Sequence, residues 1–209
     1  MATLEEKLGR LREILRDLEG VVVAFSGGVD STFVLAVARA VLGDRALALT
    51  TASASVPADE LAEARRLAVQ LGATHIVVPT DEVAIAEYAR NPINRCFFCK
   101  DNLYRLCITE AEARGLRNVI DGVNTDDLGD FRPGLDAAEL HRIRHPLVEA
   151  DLGKDEIRRA SEQWGLPTWS KPAAPCLASR FAYGIAITHE RLGQVERAEA
   201  GLRRLGFRE

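Results

Sequence analysis

No stretch of this sequence reaches the roughly 18 consecutive apolar residues of a membrane-spanning helix, and no long basic run occurs in it. The first absence excludes a helical membrane anchor. The second disfavours a protein that grips a nucleic-acid backbone, since 27 Lys and Arg face 31 Asp and Glu for a net charge of −4. The opening MATLEEKLGRLREILRDLEG is charged throughout and lacks an apolar signal-peptide core. The expectation is a cytoplasmic protein that works on a small molecule, with no nucleic-acid or membrane partner. In a reducing compartment its four cysteines serve as ligands or nucleophiles rather than as disulfide partners. Internal repeats and low-complexity tracts are also missing, and no linker is visible before about residue 165.

What is present alternates between strand and helix. Leu4, Leu8, Leu11, Leu15 and Leu18 trace one face of a helix ending at Gly20, too short to argue for a coiled coil. GVVVAFS reads as a continuously apolar central strand, followed by a helix over STFVLAVARAVLG. RALALT and THIVVPT read as further strands flanking a helix with Pro57 near its start and Gly72 at its end. CKDNLYRLCITEAEARGL reads as a helix, NVIDGVN as a fourth strand and HRIRHPL as a short fifth. The pattern predicts a doubly wound α/β fold with a mainly parallel five-stranded sheet. The expected organisation is a nucleotide-type domain over 1–165, with residues 1–19 as its N-terminal helix. A C-terminal segment over 166–209 carries Cys176 and ends in a helical appendage.

Between the first strand and its helix stands Ser26-Gly27-Gly28-Val29-Asp30-Ser31-Thr32. Two glycines allow close backbone approach, Ser26, Ser31 and Thr32 offer hydroxyls, and the helix start offers free N–H groups. Together they make a cradle for phosphate. The GK[ST] ending of a Walker loop and the G-x-G-x-x-G of a dinucleotide site are both absent. Asp30 carries a charge that repels phosphate, so it serves either as a helix N-cap or as a carboxylate that holds Mg²⁺. With no lysine in the loop, Mg²⁺ is expected to supply the missing positive charge.

Cys96 and Cys99 stand at C-x-x-C spacing, and Cys176 lies 77 residues beyond Cys99 in SKPAAPCLASRF. Cys107 is two helical turns past Cys99, roughly 12 Å along the axis, and reads as a core thiol. Ser179 and Arg180 follow Cys176 and offer donors to an anion. Three thiols fit a four-iron cluster with one open iron, or zinc with a fourth ligand among His75, His141, His145 and His189. A redox or structural pair is the remaining reading. No histidine has an obvious zinc spacing, although His145 precedes Pro146. Asp126 and Asp127 follow the fourth strand, where doubly wound folds place ligand contacts. A solvated turn is the competing reading.

S-G-G-x-D-S after a first strand resembles the PP-loop of ATP pyrophosphatases, which cleave ATP between its α and β phosphates and adenylate a substrate oxygen. FSGGVDST, NPINRCFFCKDNLY, DGVNTDDLGDFRPGLDAAEL, HPLVEADLGKDEIR and SKPAAPCLASRFAYG together resemble LarE-type ATP-dependent sulfur insertases of nickel-pincer cofactor synthesis. This resemblance implies an ATP-dependent sulfurtransferase that adenylates the carboxylates of a pyridinium dicarboxylate mononucleotide and replaces AMP with sulfur. It implies Mg²⁺, a sulfide donor and a homo-oligomer. Cys176 matches the reactive cysteine of the family, and the presence of Cys96 and Cys99 resembles the members that bind a four-iron four-sulfur cluster. Arg180 and Arg132 are the implied anion contacts.

All three sulfurs are therefore expected to gather facing the cradle. Members of that family extend past the LGF motif, so a chain ending at Glu209 is expected to be truncated. The rival readings are a tRNA thiolase, disfavoured by charge and by Val29 where a lysine is expected, an ammonia-dependent amide ligase with structural zinc, and a non-catalytic nucleotide-binding regulator.

Overall fold

The computed structural model describes residues 2–129 and 131–207. The truncation expected at Glu209 concerns a position outside the described residues. In chain order the elements begin with α1 (Leu4–Asp17), β1 (Val21–Ala24), α2 (Val29–Leu42), β2 (Ala46–Ala52), α3 (Ala58–Gln70) and β3 (Thr74–Pro79). They continue with α4 (Ala86–Ala89), α5 (Arg95–Ala113), β4 (Asn118–Ile120), α6 (Pro133–Leu140), α7 (Pro146–Glu149), α8 (Lys154–Gln163) and α9 (His189–Arg204). No helix among the described residues is long and apolar enough to cross a membrane.

The four strands are parallel and run in the order β3-β2-β1-β4. β1 is buried on both faces, so all four of its residues are apolar. Val21 and Val23 face one core, while Val22 faces the other with Ala24. The first core packs the α1 leucines Leu8, Leu11 and Leu15 with Phe33 and Val37 of α2 and Ile157 of α8. Tyr104, Cys107 and Ala111 of α5 and Ala137 of α6 build the second. Helices thus cover both faces, as the alternation of elements predicts.

The sheet is narrower than expected. HRIRHPL contributes one parallel bridge, between Arg144 and Ile120, in place of a fifth strand. Pro146 has no N–H to extend a ladder, and it opens α7 directly after His145. Four helices among the described residues, α4, α6, α7 and α8, were not expected from the sequence. For α8 a signal was present, because the Glu156 carboxylate accepts from the Gly153 amide at 3.0 Å, half of a capping box.

Connections from β1 run outward through β2 and β3 before the chain returns to place β4 on the other side of β1. The order of winding reverses there, and residues that follow β1 and β4 line a crevice at the carboxyl ends of the strands. A third, smaller apolar cluster lies away from the sheet. It gathers Tyr88 of α4 with Leu177, Ala178, Ile187 and Leu192 from the C-terminal segment, and Cys99 and Cys176 pack against it.

Candidate active site

The phosphate cradle follows from the turn between β1 and α2. Gly27 adopts φ +74, and a Cβ there would stand 3.1 Å from the Cα of Ala64 on α3. Gly122 is as constrained on the β4 side, since its Cβ would meet the Ser31 amide nitrogen at 2.7 Å. Only glycine lets the β4 loop approach the start of α2 so closely. The hydroxyls of Ser26 and Ser31 lie 3.1 Å apart, and Ser26 Oγ accepts from the Gly28 amide at 3.3 Å. Thr32 is fully buried and its hydroxyl has no partner, so of the three hydroxyls expected at the ligand only Ser26 and Ser31 line the crevice.

Gly28 is the N-cap of α2, which corrects the capping role considered for Asp30; Asp30 is the second residue of the helix. Its Oδ2 accepts from Lys154 Nζ at 2.5 Å, whereas its Oδ1 is buried with no partner among the described residues. An orphaned, buried carboxylate oxygen beside a phosphate cradle fits a divalent cation. Mg²⁺ there would neutralise charge on a leaving pyrophosphate. The lysines absent from the loop arrive from far along the chain. Besides Lys154 at the start of α8, Lys171 donates to the Gly27 carbonyl at 3.3 Å and to Glu60 and Glu63 of α3 at 2.8 and 2.7 Å.

The crevice has a volume of about 470 Å³ and continues from Ser26, Gly28, Asp30 and Ser31 past Lys154 to Pro172, Ala173 and Ala174. Its far wall carries Tyr104, Asp121, Asp127 and Arg132. Asp121 is buried and accepts from Tyr104 Oη and from His145 Nδ1, each at 2.7 Å. Burial pushes Asp121 up, but its hydrogen bond and charge interaction with His145 outweigh this and hold it below the ordinary carboxylate range. Burial likewise lowers His145, yet bonding to Asp121 leaves it above its ordinary value. Asp126 receives the backbone amide of Lys154 at 2.7 Å and so caps α8. Asp127 pairs with Arg132 at 2.7 Å within the crevice.

The three candidate thiols come from two places. Cys96 and Cys99 lie in the first turns of α5, Cys96 exposed and Cys99 largely covered. Cys176 is the residue before a short 3₁₀ turn over Leu177–Arg180. Buried Arg95 joins the two, because its guanidinium donates to the Ala178 carbonyl at 2.8 Å and to Asn91 Oδ1 at 2.6 Å. The Leu177 amide donates to the Ser55 carbonyl at 2.9 Å, so the Cys176 turn hangs from the loop after β2.

Burial pushes the Cys99 thiol up to about 12, with Glu82 next in effect and smaller contributions from Cys176 and Cys96. Cys107 is fully buried in the core, as expected, and burial pushes it too up to about 12. The wall of the crevice stops at Lys100, beside Cys99, and at Ala174, two residues before Cys176. None of the three thiols lines the crevice, and the segments that carry Cys99 and Cys176, which run on from lining residues, are termed its rim. Among the described residues no three His, Cys, Asp or Glu side chains come together as a metal-ion site. The thiols match a cluster in number and softness but are not gathered as its ligands here, and His145 is turned to Asp121. Ser179 Oγ donates to the Cys176 carbonyl at 2.7 Å, and Arg180 pairs with Glu199 of α9 at 2.5 Å.

Sequence and structure comparisons can now be set against this geometry. Residues 6–104 match the NAD synthase family. The chain is 49% identical over 204 residues to an uncharacterized protein of Synechocystis sp., covering 98% of this chain and 76% of that one. It is 38% identical over 208 residues to the pyridinium-3,5-bisthiocarboxylic acid mononucleotide synthase of Lactiplantibacillus plantarum, covering 99% of this chain and 75% of that one. The chain belongs to this synthase family. As a PP-loop member of the synthase family it is an enzyme that uses ATP and produces AMP. An ammonia-dependent NAD synthetase from Campylobacter jejuni has the same fold, with a TM-score of 0.65 at 18% identity, over 98% of this chain and 88% of that one.

Proposed function

We propose that this chain uses ATP to activate a carboxylate of a pyridinium-3,5-dicarboxylate mononucleotide and replaces the AMP with sulfur. In the first step the carboxylate oxygen attacks the α-phosphorus and pyrophosphate leaves. In the second, a sulfur nucleophile attacks the carbonyl carbon and AMP departs with the oxygen, leaving a thiocarboxylate. Two carboxylates require two rounds. The observation that carries the reading is the continuity of one crevice from the phosphate cradle to Ala174, two residues from Cys176.

Each residue has a task within that reading. Gly28, the Ser26 and Ser31 hydroxyls and the N-terminus of α2 seat the phosphates, and Lys154 and Lys171 bring positive charge to them. Asp30, with Mg²⁺, stabilises the leaving pyrophosphate. Arg132 on the far wall contacts the anionic substrate, and Ser179 and Arg180 steer it beside Cys176. A reduced compartment such as the cytoplasm suits four free thiols.

The finer part of the proposal concerns the source of sulfur. Cys96, Cys99 and Cys176 would be the ligands of a four-iron four-sulfur cluster, which would supply sulfide when bound and draw the three thiols together. What supports it is the seating of Cys99 and Cys176 against one apolar cluster, with Arg95 fixing the α5 start to the Cys176 turn. Anaerobic iron and sulfide analysis with an absorption spectrum, before and after ATP and substrate, tests it. Each of Cys96→Ala, Cys99→Ala and Cys176→Ala is expected to abolish iron loading and sulfur transfer, while Cys107→Ala keeps both. Iron-free protein that still transfers sulfur and loses this only in Cys176→Ala would replace the cluster with the Cys176 sulfur itself.

A further inference from the structure

We infer that Lys171 is a positioning residue that ties the strap carrying Cys176 to the phosphate cradle, so that seating a nucleotide and presenting the thiol are coupled. The inference deepens the proposed function and rests on it for the role of Cys176. Residues 169–177 run from the segment after α8 to the loop after β2, and Lys171, Pro172, Ala173 and Ala174 within them line the crevice. One end is fixed by Arg158, which donates to the Trp169 and Lys171 carbonyls at 2.6 and 2.9 Å. The other is fixed by the Leu177 amide on the Ser55 carbonyl.

Between those anchors the sequence is Lys171-Pro172-Ala173-Ala174-Pro175. Neither proline has an N–H to donate, and neither alanine has a polar side chain. Lys171 is therefore the sole side chain in this run able to hold the strap by charge or hydrogen bonding. Its side chain is only 12% exposed, and its ammonium meets three acceptors, the carboxylates of Glu60 and Glu63 and the carbonyl of Gly27. Gly27 is the residue whose φ of +74 shapes the cradle. The strap is thus bonded to the very peptide that must accommodate a phosphate.

A phosphate entering the cradle adds negative charge beside this ammonium and competes with two carboxylates for it. Lys171 responds by shifting its bonds, and Cys176, five residues along a stiff, proline-bounded run, moves with it or is fixed by it. Without the positive charge, Glu60 and Glu63 face each other one turn apart on α3, and the strap loses its side-chain tie to α3 and the cradle.

Peptide-resolved iodoacetamide labelling of the whole chain, with and without ATP and magnesium, tests the coupling. ATP is expected to slow labelling of Cys176 in the unsubstituted protein. Lys171→Met should raise its labelling rate by about tenfold without nucleotide, the factor for losing one charge-assisted hydrogen bond. It should also erase the ATP effect, and Lys171→Arg should restore much of it. Buried Cys107 should stay unlabelled throughout, which separates a loosened strap from a loosened fold. If Lys171→Met does not fold, the Glu60→Gln/Glu63→Gln pair loosens the same hold and serves in its place. Unchanged Cys176 labelling and an unchanged ATP response in these variants would overturn the inference. So would a Cys176 labelling rate insensitive to ATP in the unsubstituted protein. Failure of that protein to exchange pyrophosphate into ATP with substrate present would count against the proposed reaction instead, and the labelling result would stand apart from it.

Discussion

The phosphate cradle and the thiol rim are built in opposite ways. The cradle is a short run of chain held between fully buried β1 and α2, with its serines bonded to one another and to the loop backbone. The rim is assembled from the start of α5 and a turn 77 residues later, over a small satellite cluster instead of the main core. A feature made of consecutive residues needs only a correct local turn. One assembled across the chain depends on a few long-range polar pins, so its failure modes differ.

Substituting one residue in each region separates the two. The largest effect is expected at Asp30. Asp30→Ala removes both the candidate Mg²⁺ oxygen and the partner of Lys154, and pyrophosphate release should fall by on the order of a hundredfold or more. Thiol labelling at the rim should change little, and equal damage at both places would erase the contrast. Arg95→Met acts on the other side. It strips the Ala178 carbonyl and Asn91 Oδ1 of a buried donor, at a cost of about 3 kcal/mol by chemical denaturation. Cys176 and Cys99 should become more open to alkylation, while ATP binding by calorimetry stays near that of the unsubstituted chain.

The smallest effect is expected at His145, which backs Asp121 of the crevice wall. Its pKa is raised above the ordinary 6.5 by the bond to Asp121, so the charged pair stabilises the fold below that pH. The contribution is lost as pH climbs through the raised value. His145→Asn should therefore cost about 1 kcal/mol in mildly acidic buffer and less in alkaline buffer, read as the difference in melting temperature across the two.

The contrast also explains what could be read in advance. The cradle was legible because Ser26 to Ser31 carry its chemistry side by side, and the strand–helix alternation gave the doubly wound sheet around it. The lysines were not, since Lys154 and Lys171 reach their partners across 124 and 144 residues. No local pattern records such a pairing. Arg95 beside Cys96 carries no local signal either, since what makes it a pin is its burial and its bond to Ala178, 83 residues away. A fifth strand does not form because Pro146 ends HRIRHPL as a strand after a single bridge and opens α7. Cys107 was placed correctly, since two helical turns beyond Cys99 it points into the core.

The nearness of Cys176 to the crevice wall bears on timing. An activated acyl group is open to water as well as to sulfur, and its yield depends on which arrives first. Ala174 is already in the wall and Cys176 is two residues on, a span of at most about 7 Å of extended chain. In the proposed reaction this short run of strap, and not a separate lobe, would bring the Cys176 sulfur to the crevice. Loss to solvent would then be governed by how long a few residues of backbone stay in place, and free carboxylate building up alongside AMP would be the signature of their slipping.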